Sequence, residues 1–273
     1  MSSQAFVARL NDRALIKLSG PDWRGFLQGL VTQDVDTLAD GEARFGALLT
    51  PQGRLLYDLF LIGRDGGCLV DCAAGVRDAL VQRLTLYRLR AKVEIAPLAE
   101  PVMALWGAPP PAGWVADPRL AALGARGYGL PAPPDARVAD EAAHALHLLQ
   151  LGVPGPADFG VERTYPIEAN FDLLNGIDFK KGCFVGQETT SRMKRRGTVK
   201  TRMAPVVFDG PAPEAGSELL NGTLRAGELL SGVPGRALAA VRLDRLDGDL
   251  ALADGRPARP DWPDWLKAAA DVG

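Results

Sequence analysis

The residue with the clearest chemical potential is Cys183, in the run TYPIEANFDLLNGIDFKKGCFVGQETTSRMKRRG that spans Thr164–Gly197. Gly182 and Gly186 flank its loop, and Lys180 and Lys181 precede it. From Gln187 the sequence predicts a helix, with Glu188 in the first turn, Lys194, Arg195 and Arg196 in the last, and Gly197 as the stop. A thiol just before a helix amino terminus and beside two lysines is favoured as thiolate, the form that attacks electrophiles and binds metals. The bland alternative is a buried structural cysteine. The basic run Arg192, Lys194, Arg195, Arg196, Lys200 and Arg202 reads as a solvated face, or as a patch that attracts an anionic ligand or partner.

Other residues carry weaker signals. His144 and His147 lie three apart on a predicted helix, but two ligands do not make a metal site and no acidic or cysteine cluster completes one, so no metal is expected. Cys68 and Cys72 fall on one face of a predicted strand by the two-residue alternation and read as packed inside. An iron–sulfur cluster needs about four protein ligands, so three scattered cysteines do not hold one unaided.

These residues need a scaffold, and the chain predicts an α+β one. Phe6–Leu10 and Ala14–Leu18 read as two short strands joined by a turn at Asn11-Asp12-Arg13. A helix follows, in which Trp23, Phe26, Leu27 and Leu30 recur at helical spacing. Strands are expected at Arg44–Leu49, Leu55–Ile62 and Cys68–Cys72, separated by Pro51-Gln52-Gly53 and by Arg64-Asp65-Gly66-Gly67. Val76, Leu80, Leu84 and Tyr87 share a helical face, and Val93-Glu94-Ile95 reads as a return strand. The Pro/Gly-rich stretch of about 108–136 predicts irregular connections and a domain edge. A helix from about Asp140 to Leu151 ends at Gly152-Val153-Pro154. From Arg202 onward, short apolar runs broken by Gly, Pro and Asn suggest a small β-barrel-like or sandwich domain, followed by a short docking helix around Trp262–Ala270. Residues 1–200 and 201–273 are thus expected to be separate units.

The chain has 273 residues, 47% of them hydrophobic, and a formal net charge of -2. That size supports a substantial core, and that charge argues against a general coat for nucleic acid, so direct nucleic-acid binding is not expected. No apolar run has membrane-spanning length. With no signal-like apolar stretch before Leu18 and no disulfide framework, a cytoplasmic location is expected.

The run Lys181-Gly182-Cys183-Phe184-Val185-Gly186-Gln187-Glu188 resembles the K-G-C-[FY]-x-G-Q-E signature of YgfZ-type proteins, relatives of the glycine-cleavage aminomethyltransferase. Phe26-Leu27-Gln28, Val31-Thr32-Gln33-Asp34-Val35, Pro51-Gln52-Gly53-Arg54, Tyr87-Arg88-Leu89-Arg90, Lys92-Val93 and Ile167-Glu168-Ala169 resemble further family features in order. The resemblance implies an aminomethyltransferase-like folate-binding fold, with subdomains around a central opening and tetrahydrofolate or another folate as cofactor. It places Glu168 at the pterin ring, where a carboxylate accepts two hydrogen bonds. Asp58 lies near the aspartate that works at the folate's reacting nitrogen, and Lys181, Gly182, Gly186 and Gln187 fall in the signature loop at the edge. Read without the resemblance, Glu168 is a surface residue and Asp58 caps or solvates a strand. The implied function is assembly or repair of iron–sulfur clusters in client enzymes, with Cys183 as the working group and client or assembly proteins as partners. A folate-dependent one-carbon transferase is the alternative, and a tRNA-modification protein a third.

Overall fold

The computed structural model describes residues 4–197 and 199–270, with side chains described through residue 267. The first sheet is built from β2 (Arg13–Ser19), β3 (Ala43–Leu49), β4 (Leu55–Arg64), β5 (Gly67–Ala73) and β6 (Glu94–Leu98), in the antiparallel order β3-β4-β5-β2-β6. The second contains β1 (Phe6–Arg9), β7 (Val102–Trp106), β8 (Val115–Ala116), β9 (Ala125–Tyr128) and β10 (Arg137–Ala139), in the order β10-β1-β7-β9-β8. Helices α1 (Trp23–Gln28), α2 (Arg77–Arg88), α3 (Glu141–Gln150), α4 (Pro156–Phe159) and α5 (Gln187–Arg196) lie between or after these strands. A closed barrel of β11 (Thr201–Phe208), β12 (Glu218–Asn221), β13 (Leu224–Val233), β14 (Arg236–Arg242), β15 (Leu250–Leu252) and β16 (Pro257–Pro260) follows, and α6 (Asp264–Ala270) comes last.

Strand β4 shows why the first sheet sits at the centre. Its residues from Leu55 to Gly63 are all buried, which a strand achieves only when both sheet faces are covered. Phe60 and Ile62 point into one core, against the second sheet and the 153–184 segment. Tyr57, Leu59 and Leu61 point into another, under α1 and α2. The period-two alternation breaks near Leu55, opposite a register shift at Leu48/Leu49 that marks a bulge. The barrel encloses a third core, which includes Leu266 of α6. Trp265 also ties α6 to the end of α3, since its Nε1 donates to Leu151 O at 2.8 Å.

Two sequence expectations need correction. Phe6–Leu10 and Ala14–Leu18 do not form a hairpin: β1 pairs with β7 and β10, β2 pairs with β5 and β6, and the turn between them carries the chain from one sheet to the other. The 108–136 stretch is not merely a connection, because it supplies β8, β9 and three buried charged residues, Asp117, Arg119 and Arg126. Proline and glycine there shape short strands whose charges are neutralised internally.

Helix α3 begins at Asp140, whose carboxylate accepts from Ala143 N at 2.8 Å. It delivers His144 and His147 against Trp106, with ring centroids 5.7 and 5.5 Å away. Burial, then the charges of Arg126 and Arg119, hold the His144 pKa down to about 3. An unfolded chain therefore takes up a proton below about pH 6.5 that the folded chain refuses until about pH 3. Stability should fall through that window by about 1 kcal/mol per pH unit from this group. Urea melts at a series of pH values should show the gap between wild type and His144→Gln narrowing or reversing on acidification; a constant gap would remove the histidine as the cause.

Candidate functional site

The Cys183 loop is held by the lysine beside it. Lys181 Nζ donates to Val31 O at 2.6 Å and to Gln28 O and Gln33 O at 2.8 Å each. An ammonium has three protons, and three carbonyls receive them. The receptor is itself braced: Gln28 Nε2 donates to Asp34 Oδ1, Gln28 Oε1 accepts from Val35 N, and Thr32 Oγ1 donates to Gly176 O. Asp178 Oδ1 shapes the approach by accepting from Lys180 N at 2.7 Å and Lys181 N at 3.2 Å. Burial lowers the Lys181 pKa to about 8, while Asp34, Asp178 and Asp36 pull it upward. The expected role of Lys181 beside the thiol or a cofactor is therefore corrected: its charge is turned inward and spent on the loop's foundation.

Beyond the lysine, the loop is pinned on both sides. Phe184 is buried in the first core and Val185 packs against the second. Gly186, at φ +80°, sits against the Pro51-Gln52-Gly53 turn; a Cβ there would lie 2.6 Å from Thr50 O and 2.9 Å from Gly53 Cα. Gly53, at φ +84°, returns the contact, with an added Cβ 2.9 Å from Thr189 Cβ. Gly182 has open space around it and no such constraint. Between these anchors Cys183 is exposed, whereas Cys68 and Cys72 are buried, with thiol pKa values that burial pushes up to about 12.

Gln187 and Phe179, at the two ends of the loop, line an open groove of about 500 Å³ together with Glu188, Ser191, Lys194 and Arg195 of α5. Arg202, from the same basic run, is not on this surface. It is buried, and its guanidinium grips Asp172 at 2.9 and 3.0 Å and Ile167 O at 2.9 Å.

Asp58 and Glu168 stand elsewhere, and apart from each other. Asp58 opens on a cavity of about 70 Å³ among β3, β4, α3 and the Pro154–Phe159 segment, and its Oδ2 accepts from Arg13 Nη1 at 2.7 Å. Arg13 also donates to Asp71 at 2.7 Å, Asp71 accepts from Arg126 at 2.9 Å, and Arg126 reaches Asp117 at 3.2 Å, which is gripped by Arg119 at 2.8 and 3.0 Å. The guanidinium carbons of Arg126, Arg119 and Arg13 lie 3.5, 4.9 and 5.4 Å from the centre of the Phe60 ring. Glu168 lines no part of this cavity. Its Oε2 accepts from Tyr165 N at 2.9 Å, and burial raises its pKa against the pull of that bond and of Arg54.

The residues present do not fit a folate in this cavity. A site for a molecule of that size has a volume of roughly 300 Å³ or more, Asp58 is already paired, and Glu168 is not among the residues that line this cavity. Arg13, Asp71, Asp117, Arg119 and Arg126 were invisible as a group in the sequence, since they are scattered over more than a hundred positions; only the improbability of so many charges in short apolar strands hinted at them. Among the described residues no group of three or more His, Cys, Asp or Glu side chains could hold a metal.

Comparison with known proteins places the chain. Residues 200–268 match the model of the CAF17 C-terminal beta-barrel domain. The iron-sulfur cluster assembly factor IBA57 of Homo sapiens, a mitochondrial protein, is 31% identical over 93% of this chain and 84% of its own length. The chain belongs to the IBA57 family. The mitochondrial IBA57 homolog of Neurospora crassa is 30% identical over 99% of this chain and 69% of its own length. The glycine cleavage system aminomethyltransferase T of Bartonella henselae superposes with a TM-score of 0.78 at 16% identity, covering 97% of this chain and 87% of that one, which establishes the shared fold. The expected fold class, aminomethyltransferase-like with a terminal β-barrel, is therefore correct. The cytoplasmic expectation is overturned, because the IBA57 relatives are mitochondrial. Free cysteines separate reducing from oxidising compartments and do not tell one reducing compartment from another.

Two measurements test this geometry. Limiting iodoacetamide at neutral pH should label Cys183 first, with Cys68 and Cys72 reacting only after denaturation; peptide mass mapping reads the order, and early labelling of a strand cysteine would contradict the burial described. Lys181→Met, which keeps most of the stem but leaves three carbonyls without their donor, should lower stability by about 3 kcal/mol in urea melts. An unchanged midpoint would mean that the loop is anchored elsewhere.

Proposed function

We propose that this chain supports iron–sulfur cluster assembly by offering Cys183 as a single thiolate ligand to a cluster whose remaining ligands belong to a partner protein. The observation that carries this reading is the contrast among its cysteines: Cys183 alone is exposed, on a loop anchored from beneath. A cluster needs about four protein ligands, so a protein with one accessible thiol takes part by sharing. The cluster is cargo here, and the family relatives named as cluster assembly factors give the cargo its identity.

A folate-dependent transferase is the second reading, resting on the shared aminomethyltransferase fold. It requires an aspartate free to act at a reacting nitrogen, and Asp58 is engaged by Arg13 at 2.7 Å. The tRNA-modification reading draws no support from a chain of net charge -2. Tetrahydrofolate binding, implied by the resemblance, is accordingly left out of the proposed mechanism.

Cys183→Ala should fold as wild type, with a melting temperature within about 2 °C because the side chain packs against little. It should fail to restore the activity of cluster-dependent enzymes in cells lacking the native protein. Full complementation would refute the thiol's role. Calorimetric titration with tetrahydrofolate should give no saturable binding; stoichiometric binding weakened by Asp58→Asn would bring the folate back into the central cavity.

A further inference from the structure

The groove between Phe179 and α5 lies across the two ends of the Cys183 loop, and cations gather on and beside it. Most arginines of this chain are matched to a carboxylate, including Arg192, which meets Glu188 at 2.6 Å one turn away. Among the described residues, Lys180, Arg195 and Arg196 have no carboxylate within 4 Å, and all three are exposed. Lys194 stands 5.3 Å over the Phe179 ring and 3.7 Å from Asp172, whose carboxylate is already committed to Arg202. Phe179 is among the few large apolar side chains left exposed. Cations in the last turn of a helix offset its dipole, but that dipole amounts to about half a charge. The excess positive charge on α5 is therefore available to something outside the chain.

We propose that this groove is the docking surface for an acidic segment of a partner protein, which lays an apolar side chain against Phe179 and sets its carboxylates against Lys194 and Arg195 in the groove and the neighbouring Lys180 and Arg196. This rests on the reading of Cys183 as a shared ligand and names the chemistry of the partner that shares it. A segment seated there lies between the loop's two ends, so it brings the partner's own ligands to the thiol. Opposite charge suits the encounter for two reasons. It speeds association and orients it, and it leaves the chain, acidic overall, with one face that attracts rather than repels an acidic protein. A cluster bound by thiolates is itself anionic and meets the same field.

The test uses the full chain and a defined probe, a fluorescein-labelled peptide of alternating Glu and Leu with a terminal Trp. Fluorescence anisotropy should show binding that weakens by roughly tenfold as NaCl rises from about 50 to about 200 mM. The pair Arg195→Glu with Arg196→Glu should weaken it at least roughly tenfold, and Phe179→Ala should weaken it less. Both changes are at exposed positions, and circular dichroism melts confirm the fold. Bound peptide should slow iodoacetamide labelling of Cys183, and a matching Lys–Leu peptide should not bind. Equal affinity of wild type and the charge-reversed pair would overturn the proposal, as would tighter binding of poly(U) RNA or anionic phospholipid vesicles through the same residues. Two cell assays keep it separate from the thiol reading. If Cys183→Ala complements fully while the charge-reversed pair does not, the thiol reading falls and the docking surface stands. If the charge-reversed pair complements fully, the docking surface falls whatever the thiol does.

Discussion

Three arginines and three aspartates, none with a side chain more than 9% exposed, form the interaction on which the rest of the molecule depends. Arg13, Asp58 and Asp71 come from the first sheet; Arg126 comes from the second, with Asp117 and Arg119 in its adjoining loop. Taking so many charges out of water is expensive, and the attraction between them does little more than offset that. What the ladder supplies is geometry. Asp71 accepts from Arg13 of β2 and Arg126 of β9, Asp117 from Arg126 and Arg119, and Asp58 from Arg13; Tyr128 adds its hydroxyl to Asp71 at 3.1 Å, and Phe60 is packed among the arginines. The two sheets can meet in only one register if every charge is to find its counterion. Removing a single member would leave an opposite charge buried alone, which is far worse than the intact set.

This interaction also separates two spaces that the shared fold would lead one to join. The centre, where an aminomethyltransferase-like protein would be expected to do its chemistry, is occupied by neutralised charge and a small cavity. The exposed thiol of Cys183 lies apart from this cavity, on a loop supported by Lys181 and by Phe184 and Val185 in separate cores. At 16% identity the two chains share the architecture. Fold likeness transfers the architecture, and the positions of the side chains decide what of the chemistry goes with it.

The sequence made legible whatever is written as apolar period. Strands β3, β4 and β5, helices α2 and α3, the start of α5 at Gln187 and the barrel all follow from alternation, helical spacing and glycine stops, and Cys183 was marked by its flanks. Pairing across distance was not legible. That β1 and β2 belong to different sheets depends on partners at Val102 and Arg137, far along the chain. The 108–136 stretch hides its order because Asp117, Arg119 and Arg126 look like surface charges until their counterions are known. Lys181 and Arg202 show the same limit from the other side: a basic residue declares its charge in the sequence, but not whether it faces water or three carbonyls. The resemblance assigned Glu168 and Asp58 to a folate, yet one is hydrogen-bonded to Tyr165 N and the other to Arg13, which no residue-by-residue transfer can foresee.

Where the turn at Gly53 meets the loop at Gly186, the two backbones touch with no side chain of either between them. Neither position has a side chain that could shrink, tilt or change rotamer to accommodate its neighbour, and both hold dihedral angles that other residues rarely adopt. A side chain introduced at one cannot be answered by trimming the other, because nothing remains to trim. The two positions therefore form a lock with no second key: the hairpin turn and the cysteine loop, 133 residues apart in the chain by the difference between their numbers, hold each other in place, and a side chain at either glycine displaces both segments.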